Sequence, residues 1–568
     1  MTVGRRRTWY GDRLPGRHAL VRLSAAVPPS RAPRVVGDMT RWVRRLHHRG
    51  LGERVTVTIH RTSEPGHWIV AYPWHEASRA ELIANAAVRL ADEPGRGERL
   101  FARALRRLSE TPAGSSPEWT TDEQREIPLI SVSGTNGKST TTRMIAHIAR
   151  VAGRHVGMTT TDGVLVDDVM IEPGDFTGPA GAKAILERTD VDLAVLETAR
   201  GGILLRGLGY QSNDASVLTN VSGDHLDLQG VHTLPELAEV KSVICRVTKP
   251  DGAVVLNADD PLIAAVARRV AAPVYYFSLK PHSARIRRHV ERGGRAYLLA
   301  DDGWLVEREG ARSRRIVRAA DVPATIAGLA RHNIANALAA AGGARALGFG
   351  IARVAAGLRD FRNTSDLLPG RLNLWRLRSR VVIIDYAHNV AGLDVLLDTA
   401  EAIVGRRGRR RARLSVIIGS AGDRPDDYIR GLAAAAGARA DEVAIREGIP
   451  YLRGRSRASV IGELREGLRS AGVAAASVPV YEDEVAAIRG ELGTPGRLAA
   501  TDDGTPRVLV AMCHRLRDEI RDLLLSIGAQ PVEDPRQIAD LRELMAAGDG
   551  RPPRSQPALQ PGRSRPPC

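Results

Sequence analysis

A glycine-rich turn between a short apolar run and a polar helical segment constrains the fold of this chain more than any other feature. The turn lies within Ser131-Val-Ser-Gly-Thr-Asn-Gly-Lys-Ser-Thr140, directly after the apolar run 127–132. Gly134 and Gly137 allow the backbone to curl so that its N–H groups point at an anion, and the N-terminus of the following helix adds the positive end of its dipole. The pattern predicts a phosphate-binding loop at the end of a buried strand.

Two side chains of this turn carry the predicted chemistry. Lys138 would reach the β- and γ-phosphates of a nucleotide, and the hydroxyl of Ser139 would bind magnesium. The general P-loop pattern places a glycine at position 132, where this chain has valine, so the loop is a shortened Gly-x-x-Gly-Lys-Ser. The alternative is a glycine-rich turn with an incidental lysine. Only five of the 82 Lys and Arg residues are lysine, namely Lys138, Lys183, Lys241, Lys249 and Lys280, which favours phosphate binding.

Strand-like and helix-like patterns alternate from residue 127 onward, which predicts an α/β fold with a mostly parallel, doubly wound sheet. Strands are expected at 127–132, 193–196, 215–218 and 253–256, and 280–322 is expected to form a small antiparallel insertion. A second alternating series follows Pro369. We therefore predict a small α+β N-terminal domain (1–122), a central ATP-binding domain (123–365), a C-terminal Rossmann-like domain (366–530), and a helical stub with a disordered tail (531–568).

Composition limits the class of protein. A chain of 568 residues with 43% hydrophobic residues is long enough for several cores. The net charge of +17 comes mainly from arginines spread along the whole chain, so we expect no nucleic-acid partner. No apolar run is long enough to cross a bilayer, and Met1–His18 lacks the apolar segment of a secretory signal. Three cysteines without paired spacing complete the expectation of a cytoplasmic protein.

Further motifs follow the loop in a fixed order, and together they resemble the Mur ligases, a family that includes folylpolyglutamate synthases and the C-terminal half of cyanophycin synthetase. They are Leu196-Glu-Thr-Ala-Arg-Gly-Gly202, Thr219-Asn-Val-Ser-Gly-Asp-His-Leu226, Arg331-His-Asn-Ile-Ala-Asn336, Pro369-Gly-Arg371 and Asp385-Tyr-Ala-His-Asn389. The wording of Thr159-Thr-Thr-Asp-Gly163 and Leu256-Asn-Ala-Asp-Asp-Pro261 is most similar to the Mur-like part of cyanophycin synthetase. The resemblance runs from about 127 to about 525 and implies a Mur-ligase ATPase domain followed by a Mur-ligase Rossmann-like domain.

The resemblance also implies roles for individual residues. Lys138, Glu197, His225 and Lys241 are the expected catalytic residues, and Ser139, Glu197 and His225 the expected Mg²⁺ ligands. Lys241 lies where many Mur ligases carry a carbamylated lysine, although a plain helix-surface lysine explains it equally well. ATP contacts are expected from Gly134, Thr135, Asn136, Gly137, Lys138, Ser139, Thr140, Asn333, Asn336, Arg371 and Asp385. Substrate contacts are expected from Thr161, Asp162, Thr198, Arg200, His388 and Asn389.

The implied activity is an ATP-dependent ligation of a carboxylate acceptor to an amino acid or another amine through an acyl phosphate, with domain closure shielding the intermediate from water. The ATP-grasp domain of cyanophycin synthetase is absent from this sequence, so we expect one ligation rather than two. Residues 446–455 lack the acidic cluster expected for a basic amino acid; Arg446, Arg453 and Arg455 are instead candidates for facing a carboxylate. The alternatives are a peptidoglycan-precursor ligase, a folylpolyglutamate-type ligase and an ATP-binding regulator without ligase activity. A homo-oligomer is left open.

Overall fold

A computed structural model of the chain provides the structure. It describes residues 18–23, 32–55, 57–61, 68–73, 77–92, 97–111, 119–223, 231–404, 412–448, 452, 454–474, 476, 478–493 and 506–546. The expected disordered tail after residue 546 lies outside these residues. No helix in these ranges is long and apolar enough to cross a membrane.

The N-terminal part combines a small antiparallel sheet with three helices. Its elements are β1 (His18–Leu23), α1 (Ala32–Gly50), β2 (Thr58–Arg61), β3 (Trp68–Pro73), α2 (Ala77–Asp92) and α3 (Gly97–Glu110). β3 lies between β1 and β2 and pairs antiparallel with both. Apolar residues of α1, such as Met39 and Leu46, share one core with Ile83 of α2 and Leu108 of α3. The α+β composition predicted for this part agrees with these elements.

The central part is built on an eleven-stranded sheet. Its elements are β4 (Leu129–Ser133), α4 (Lys138–Val151), β5 (Val156–Thr159), β6 (Gly163–Val166), β7 (Val169–Pro173), α5 (Pro179–Leu186), β8 (Leu193–Glu197), α6 (Arg200–Arg206), β9 (Asn213–Leu218), α7 (Leu234–Lys241), α8 (Val243–Arg246), β10 (Thr248–Asn257), α9 (Pro261–Ala265), β11 (Val274–Ser278), α10 (Ala284–Glu291), β12 (Arg295–Leu299), β13 (Trp304–Glu309), β14 (Arg312–Arg318), α11 (Arg331–Ala346) and α12 (Ile351–Asp360).

Strand order places the carboxyl ends of three neighbouring strands side by side. The order is β14-β13-β12-β11-β10-β9-β4-β8-β5-β6-β7, and the strands from β12 to β5 are parallel. All five residues of β4 and all five of β8 are buried, because core side chains cover both faces of the sheet. Ligands of open parallel sheets bind at this carboxyl edge, where the glycine-rich loop, the end of β8 and the end of β5 meet.

The prediction of a small antiparallel insertion at 280–322 is wrong in its boundaries, because the first strand of this segment belongs to the parallel part of the main sheet. β12 pairs in parallel with β11 and therefore continues the main sheet, and β13 and β14 extend it antiparallel. Tyr297 belongs to the core on one face of the sheet and Leu298 to the core on the other, so β12 is an interior strand. The edge strand β14 carries four exposed arginines, and charged side chains on an edge discourage pairing with another chain; they are Arg312, Arg314, Arg315 and Arg318.

Residues 372–568 form a second compact unit, divided from the first between Arg371 and Leu372. Its elements are β15 (Asn373–Leu377), β16 (Arg380–Asp385), α13 (Val390–Val404), β17 (Arg413–Ile418), α14 (Asp426–Arg439), β18 (Glu442–Arg446), α15 (Arg457–Ser470), β19 (Val480–Tyr481), α16 (Glu484–Leu492), β20 (Arg507–Met512), α17 (Arg517–Ser526), β21 (Gln530–Val532) and α18 (Pro535–Ala546). The sheet order is β19-β18-β17-β20-β16-β15-β21, parallel from β19 to β16 and antiparallel beyond. This is the Rossmann-like arrangement that the second alternating series predicts.

Candidate active site

The glycine-rich loop is held in place by the segment that follows β9. The backbone N–H of Thr135 donates to the carbonyl of Asn220 (2.8 Å), and that of Asn136 donates to the Asn220 side-chain oxygen (3.0 Å). In return, the Thr219 hydroxyl and the Asn220 side-chain amide donate to the Asn136 carbonyl at 2.7 and 2.9 Å. Ser222 N–H donates to the Thr135 hydroxyl (3.1 Å). Protein groups alone therefore set the curvature of the loop.

Both loop glycines are required by the geometry. Gly134 has φ +150°, and a Cβ there would lie 1.8 Å from the Thr219 hydroxyl oxygen. Gly137 caps α4 in the left-handed conformation (φ +81°), and a Cβ there would lie 2.2 Å from Oδ1 of Asn336. Left-handed backbone is costly for residues other than glycine. The close approach of the loop to α11 thus depends on the missing side chain at 137.

Replacing Gly137 with alanine is expected to destabilise the chain by about 2 kcal/mol, because the strain of a left-handed alanine adds to a clash with Asn336. Gly153→Ala is the matched control: Gly153 has a similar φ of +89°, but a Cβ there meets no atom within 4 Å. Urea unfolding of both variants measures the difference. Equal losses of stability would show that Asn336 does not require a glycine at 137.

Two lysines donate hydrogen bonds to backbone carbonyls of the loop, one from the start of α4 and one from α7. Nζ of Lys138 donates to the Thr135 carbonyl (2.9 Å), and Nζ of Lys241 donates to the Gly134 carbonyl (2.7 Å). Lys241 is buried in α7, so the helix-surface interpretation of this residue is wrong. Its carbamylation stays a prediction. Ser139 and Thr140 are both buried in the first turn of α4.

Glu197 ends β8 as a buried carboxylate. Val132 of β4 is its neighbour in the parallel register, so the carboxylate lies at the strand end next to the loop. Neither carboxylate oxygen meets hydrogen-bond geometry with any described residue, although the Ser139 hydroxyl is near enough to lower its pKa. Burial is the largest influence and raises the pKa of Glu197, against the opposing charges of Lys138 and Arg371. A buried carboxylate without a partner is costly unless a cation binds it.

Charged side chains surround this carboxylate. Arg371 donates from Nη2 to the Ser139 hydroxyl at 3.4 Å. Arg143, in α4, forms an ion pair with Asp162 at 3.1 Å, and both side chains are buried. The charges of Asp162 and Glu197 raise the pKa of Arg143, although its burial outweighs them and lowers it. Arg143 was not among the predicted site residues; its position four residues after Ser139, on the same helix face, was the available signal.

The four central residues predicted to contact substrate lie at two neighbouring strand ends. Thr198 and Arg200, both buried, follow Glu197 after β8, and the N–H of Thr198 donates to the Val132 carbonyl (2.8 Å). Thr161 and Asp162 lie in the turn after β5, which pairs with β8 so that Thr159 opposes Leu196. The structure thus brings these residues to the same sheet edge as the loop.

Asn333 and Asn336 lie on one face of α11, as their spacing predicts, but their amides contact protein groups. Nδ2 of Asn336 donates to Oδ1 of Asn333 (3.0 Å), and Nδ2 of Asn333 donates to the Ala324 carbonyl (2.7 Å). Oδ1 of Asn336 lies against Gly137. These two residues therefore support the loop from the side of α11, and their contact with ATP stays a prediction.

The predicted metal ligand His225 lies outside the described residues, which end at 223 and resume at 231. Within the described part of the chain no group of three or more His, Cys, Asp or Glu side chains is arranged to hold a metal ion. Ser139 and Glu197 are therefore the predicted ligands whose surroundings are known, and the unpartnered Glu197 carboxylate fits a role in binding Mg²⁺.

Asp385, His388 and Asn389 belong to the second unit and have local partners there. Asp385 accepts from the N–H of Leu372 (2.8 Å) and of Ala387 (2.7 Å), and Asn389 accepts from Gly392 N–H (2.7 Å) at the start of α13. The carbonyl of His388 accepts from the Tyr428 hydroxyl (3.0 Å). Their predicted contacts with ATP and substrate stay predictions.

A buried polar network contacts the backbone of the segment 385–389 through the carbonyl of Ala387. Glu484 accepts hydrogen bonds from the backbone N–H of His514 (2.7 Å) and Leu516 (2.9 Å), and lies 3.7 Å from Nε of Arg446. Nη2 of Arg446 donates to Nδ1 of His514, so the other ring nitrogen donates to the Ala387 carbonyl (2.8 Å). Burial and the charge of Arg446 lower the pKa of His514 to about 3.

Two of the three arginines considered for a carboxylate substrate are engaged within the protein. Arg446 is only 2% exposed and faces Glu484 and His514. Arg455 pairs with Asp426 (2.6 Å) and lies 3.6 Å from Glu463. Arg453 lies outside the described residues. These ion pairs explain Arg446 and Arg455 as structural residues, and the prediction that Arg453 faces the carboxylate of an acidic amino acid stays a prediction.

Comparison with known proteins finds similarity to Mur ligases and to cyanophycin synthetases. Residues 132–344 match the Mur ligase middle domain. The chain is 41% identical over 347 residues to the cyanophycin synthetase of Trichormus variabilis, an alignment covering 61% of this chain and 38% of that protein. It is 28% identical over 359 residues to the UDP-N-acetylmuramyl-tripeptide synthetase of Deinococcus radiodurans, covering 61% of this chain and 67% of that one.

A solved structure shows the same fold. Mycobacterium tuberculosis folylpolyglutamate synthase, complexed with ADP, superposes with a TM-score of 0.50 at 21% identity, covering 72% of this chain and 92% of that chain. The similarities confirm the resemblance inferred from the motifs and the α/β fold class that it implied. The chain spans 38% of the length of the cyanophycin synthetase it matches.

Proposed function

We propose that the protein is an ATP-dependent ligase that joins a carboxylate to an amine, because residues 132–344 match the Mur ligase middle domain. The proposed substrates are ATP, a carboxylate acceptor, and an amino acid or another amine. The buried, unpartnered carboxylate of Glu197 beside the glycine-rich loop carries this proposal. A buried carboxylate at this sheet edge can bind the Mg²⁺ that phosphoryl transfer requires, which offsets the cost of burying its charge.

The proposed reaction has two steps. The N–H groups at the N-terminus of α4 and the ammonium group of Lys138 bind the ATP phosphates, which lowers the repulsion that an approaching carboxylate oxygen meets. That oxygen attacks the γ-phosphorus, and the bond to the β-phosphate oxygen breaks, giving an acyl phosphate and ADP. The amine nitrogen then attacks the acyl carbon, loses a proton, and displaces inorganic phosphate as the amide bond forms.

Mg²⁺ is the proposed metal, with Glu197 and Ser139 among the residues that would hold it. When bound, it neutralises charge on the transferring phosphoryl group. The chain's own contribution is the placement of these ligands: β8 delivers Glu197 and the first turn of α4 delivers Ser139 to the same sheet edge. His225 stays a proposed third ligand.

A screen of phosphate release tests the proposed function. The full chain, ATP and Mg²⁺ are combined with each standard amino acid and with acceptors of three kinds: Asp-containing peptides, a nucleotide-sugar peptide, and a folate. We expect one pair to raise phosphate release, with both members required. The acceptor in that pair separates the cyanophycin-synthetase-like activity from the peptidoglycan-precursor and folate types. Tight ATP binding without stimulation by any pair would contradict ligation and support a regulator.

Replacing Glu197 with glutamine is expected to abolish activity and yet stabilise the metal-free protein. Because burial raises the pKa of Glu197, its ionisation destabilises the fold as the pH rises above the usual glutamate value of 4.5. The variant should not lose this stability, and its first unit should unfold about 1 °C higher at pH 7, the shift expected from about 1 kcal/mol in a unit of this size.

Calorimetry with and without 5 mM Mg²⁺ and a non-hydrolysable ATP analogue measures this effect, taking roughly that concentration as saturating. The ligands should raise the midpoint of the wild type more than that of Glu197→Gln. The control is Glu187→Gln, which alters an exposed glutamate on the surface of the same unit. A lower midpoint for Glu197→Gln in the absence of metal would contradict the interpretation of Glu197 as an uncompensated charge.

A further inference from the structure

Arg143 is a buried cation whose hydrogen-bonding capacity is only partly used. Its side chain is 3% exposed, and Nη2 donates to Oδ2 of Asp162 at 3.1 Å. The other two donor nitrogens, Nε and Nη1, are buried and have no hydrogen-bond partner among the described residues. Unpaired buried donors are costly, so a guanidinium in this state at a sheet edge indicates a site that an acceptor atom completes.

Asp162 fixes the orientation of this guanidinium. The turn that carries Asp162 is itself tied down, because its N–H donates to the Thr160 hydroxyl (3.0 Å) and its carbonyl accepts from Gly174 N–H (2.9 Å). Asp162 is 8% exposed. An ion pair held between a rigid turn and a helix presents the remaining N–H groups of Arg143 in a defined direction.

The position of Arg143 along α4 separates it from the phosphate-binding groups. It follows Ser139 by four residues on the same helix face, about 6 Å further from the helix N-terminus. Lys138, Ser139 and the loop lie at that N-terminus. Arg143 instead neighbours the turn after β5, which carries Thr161 and Asp162. Because β5 pairs in parallel with β8, which ends at Glu197, the turn that carries Asp162 lies at the same sheet edge as Glu197.

We infer that Arg143, oriented by Asp162, binds a carboxylate oxygen of the acceptor and holds that group beside the Glu197 site where phosphorylation takes place. The inference rests on the proposed ligase function and assigns the chemical class of one substrate contact. Each oxygen of a carboxylate offers lone pairs that the unpaired Nε–H and Nη1–H can use. The charge of the acceptor would also offset the cost of burying Arg143.

Acceptor kinetics of three variants test this inference. Arg143→Lys keeps the charge but loses the planar set of donors, and Arg143→Met/Asp162→Asn removes both charges so that no buried ion is left alone. Arg150→Met is the matched control, since Arg150 lies on the same helix, pairs with Asp168, and is further from the sheet edge. Each variant is assayed for the KM of the acceptor found in the screen and for the Kd of a non-hydrolysable ATP analogue with Mg²⁺.

We expect the acceptor KM to rise about tenfold or more in both Arg143 variants, as for a lost hydrogen bond to a charged group. The analogue Kd should stay within about twofold of the wild type, and Arg150→Met should change neither value. Equal acceptor KM values in Arg143→Lys and Arg150→Met would overturn the inference. A weaker analogue Kd with an unchanged acceptor KM would also overturn it, because Arg143 would then bind phosphate.

A binding measurement separates this inference from the ligase proposal. Failure of every amine and acceptor pair to stimulate the wild type contradicts the proposed function. In that case, calorimetric titration of succinate, a simple dicarboxylate, into protein loaded with the analogue and Mg²⁺ tests whether Arg143 binds a carboxylate. We expect binding to the wild type and to Arg150→Met, and at least about tenfold weaker binding to Arg143→Lys. Absent or equal binding across all three proteins would overturn the inference.

Discussion

Replacing Lys138 with alanine is expected to lower amine-dependent phosphate release by about a thousandfold. Lys138 is the first residue of α4 and directly follows the loop, so its ammonium group lies at the helix N-terminus proposed to bind the phosphates. The ammonium group is expected to stabilise the negative charge on the phosphoryl oxygens in the transition state. Without Lys138 that charge would not be compensated. Lys138 is half-buried at the start of α4, and its ammonium group donates to the carbonyl of Thr135 within the same loop, so the fold should tolerate its loss.

The control for this change is Lys183→Ala. Lys183 is an exposed lysine of α5 that pairs with Glu187 one turn later, and such pairs contribute little. Both variants are assayed with the same acceptor and amine, and their unfolding midpoints are compared by calorimetry. Phosphate release by Lys138→Ala within about tenfold of Lys183→Ala would contradict the phosphate-binding role, since one lost charge contact of this kind should cost far more.

Replacing Glu484 with glutamine is expected to destabilise the unit of residues 372–568 by about 3 kcal/mol at pH 7. Burial alone would raise the pKa of Glu484, but the charge of Arg446 and the hydrogen bonds from Leu516 and His514 lower it to about 2. The variant leaves Arg446 buried without a counter-charge. Glu466→Gln is the control, because the exposed pair of Glu466 with Arg469 on α15 contributes little.

Hydrogen exchange of amides in β18 and β20 locates the effect in this unit. Exchange through unfolding should be about a hundredfold faster in Glu484→Gln, as expected for about 3 kcal/mol, and near wild type in Glu466→Gln. Equal protection in the two variants would contradict the role of Glu484.

The pH dependence of Glu484 has a defined sign. Because folding lowers the pKa of this carboxyl, the stability it contributes is fully present above the usual value of 4.5. It is lost as the pH falls from 4.5 toward about 2. The difference in unfolding free energy between wild type and Glu484→Gln should therefore shrink over this range, which urea unfolding at pH 7 and pH 3 measures. A difference that stays constant would show that charge is not the source of the stability.

Local sequence patterns predicted the elements that carry the site because short-range rules determine them. The apolar run before Gly134 and the polar helix after it correspond to β4 and α4, and Glu197 lies at its expected strand end. The Lys241 position was predicted but its environment was not. Its burial against the Gly134 carbonyl depends on how α7 packs, which no local pattern specifies.

Long-range packing explains the features that sequence reasoning missed. Arg143 resembles any helical arginine in the sequence, and only the pairing of β5 with β8 brings Asp162 to it. The 280–322 segment has the turn signals of a separate hairpin, yet β12 joins the main sheet because both of its faces are buried. Likewise, Arg446 and Arg455 have carboxylate partners from elements remote in sequence.

The hydrogen bonds that hold residues 134–137 against Thr219, Asn220 and Ser222 have a thermodynamic consequence. Because folding already orders this segment, nucleotide association need not restrict its backbone further, and less of the association free energy is lost to conformational entropy. Weakening these contacts should therefore transfer that entropic cost from folding to association. Asn220→Ala is a change of this kind, acting on nucleotide affinity from a residue outside the loop itself.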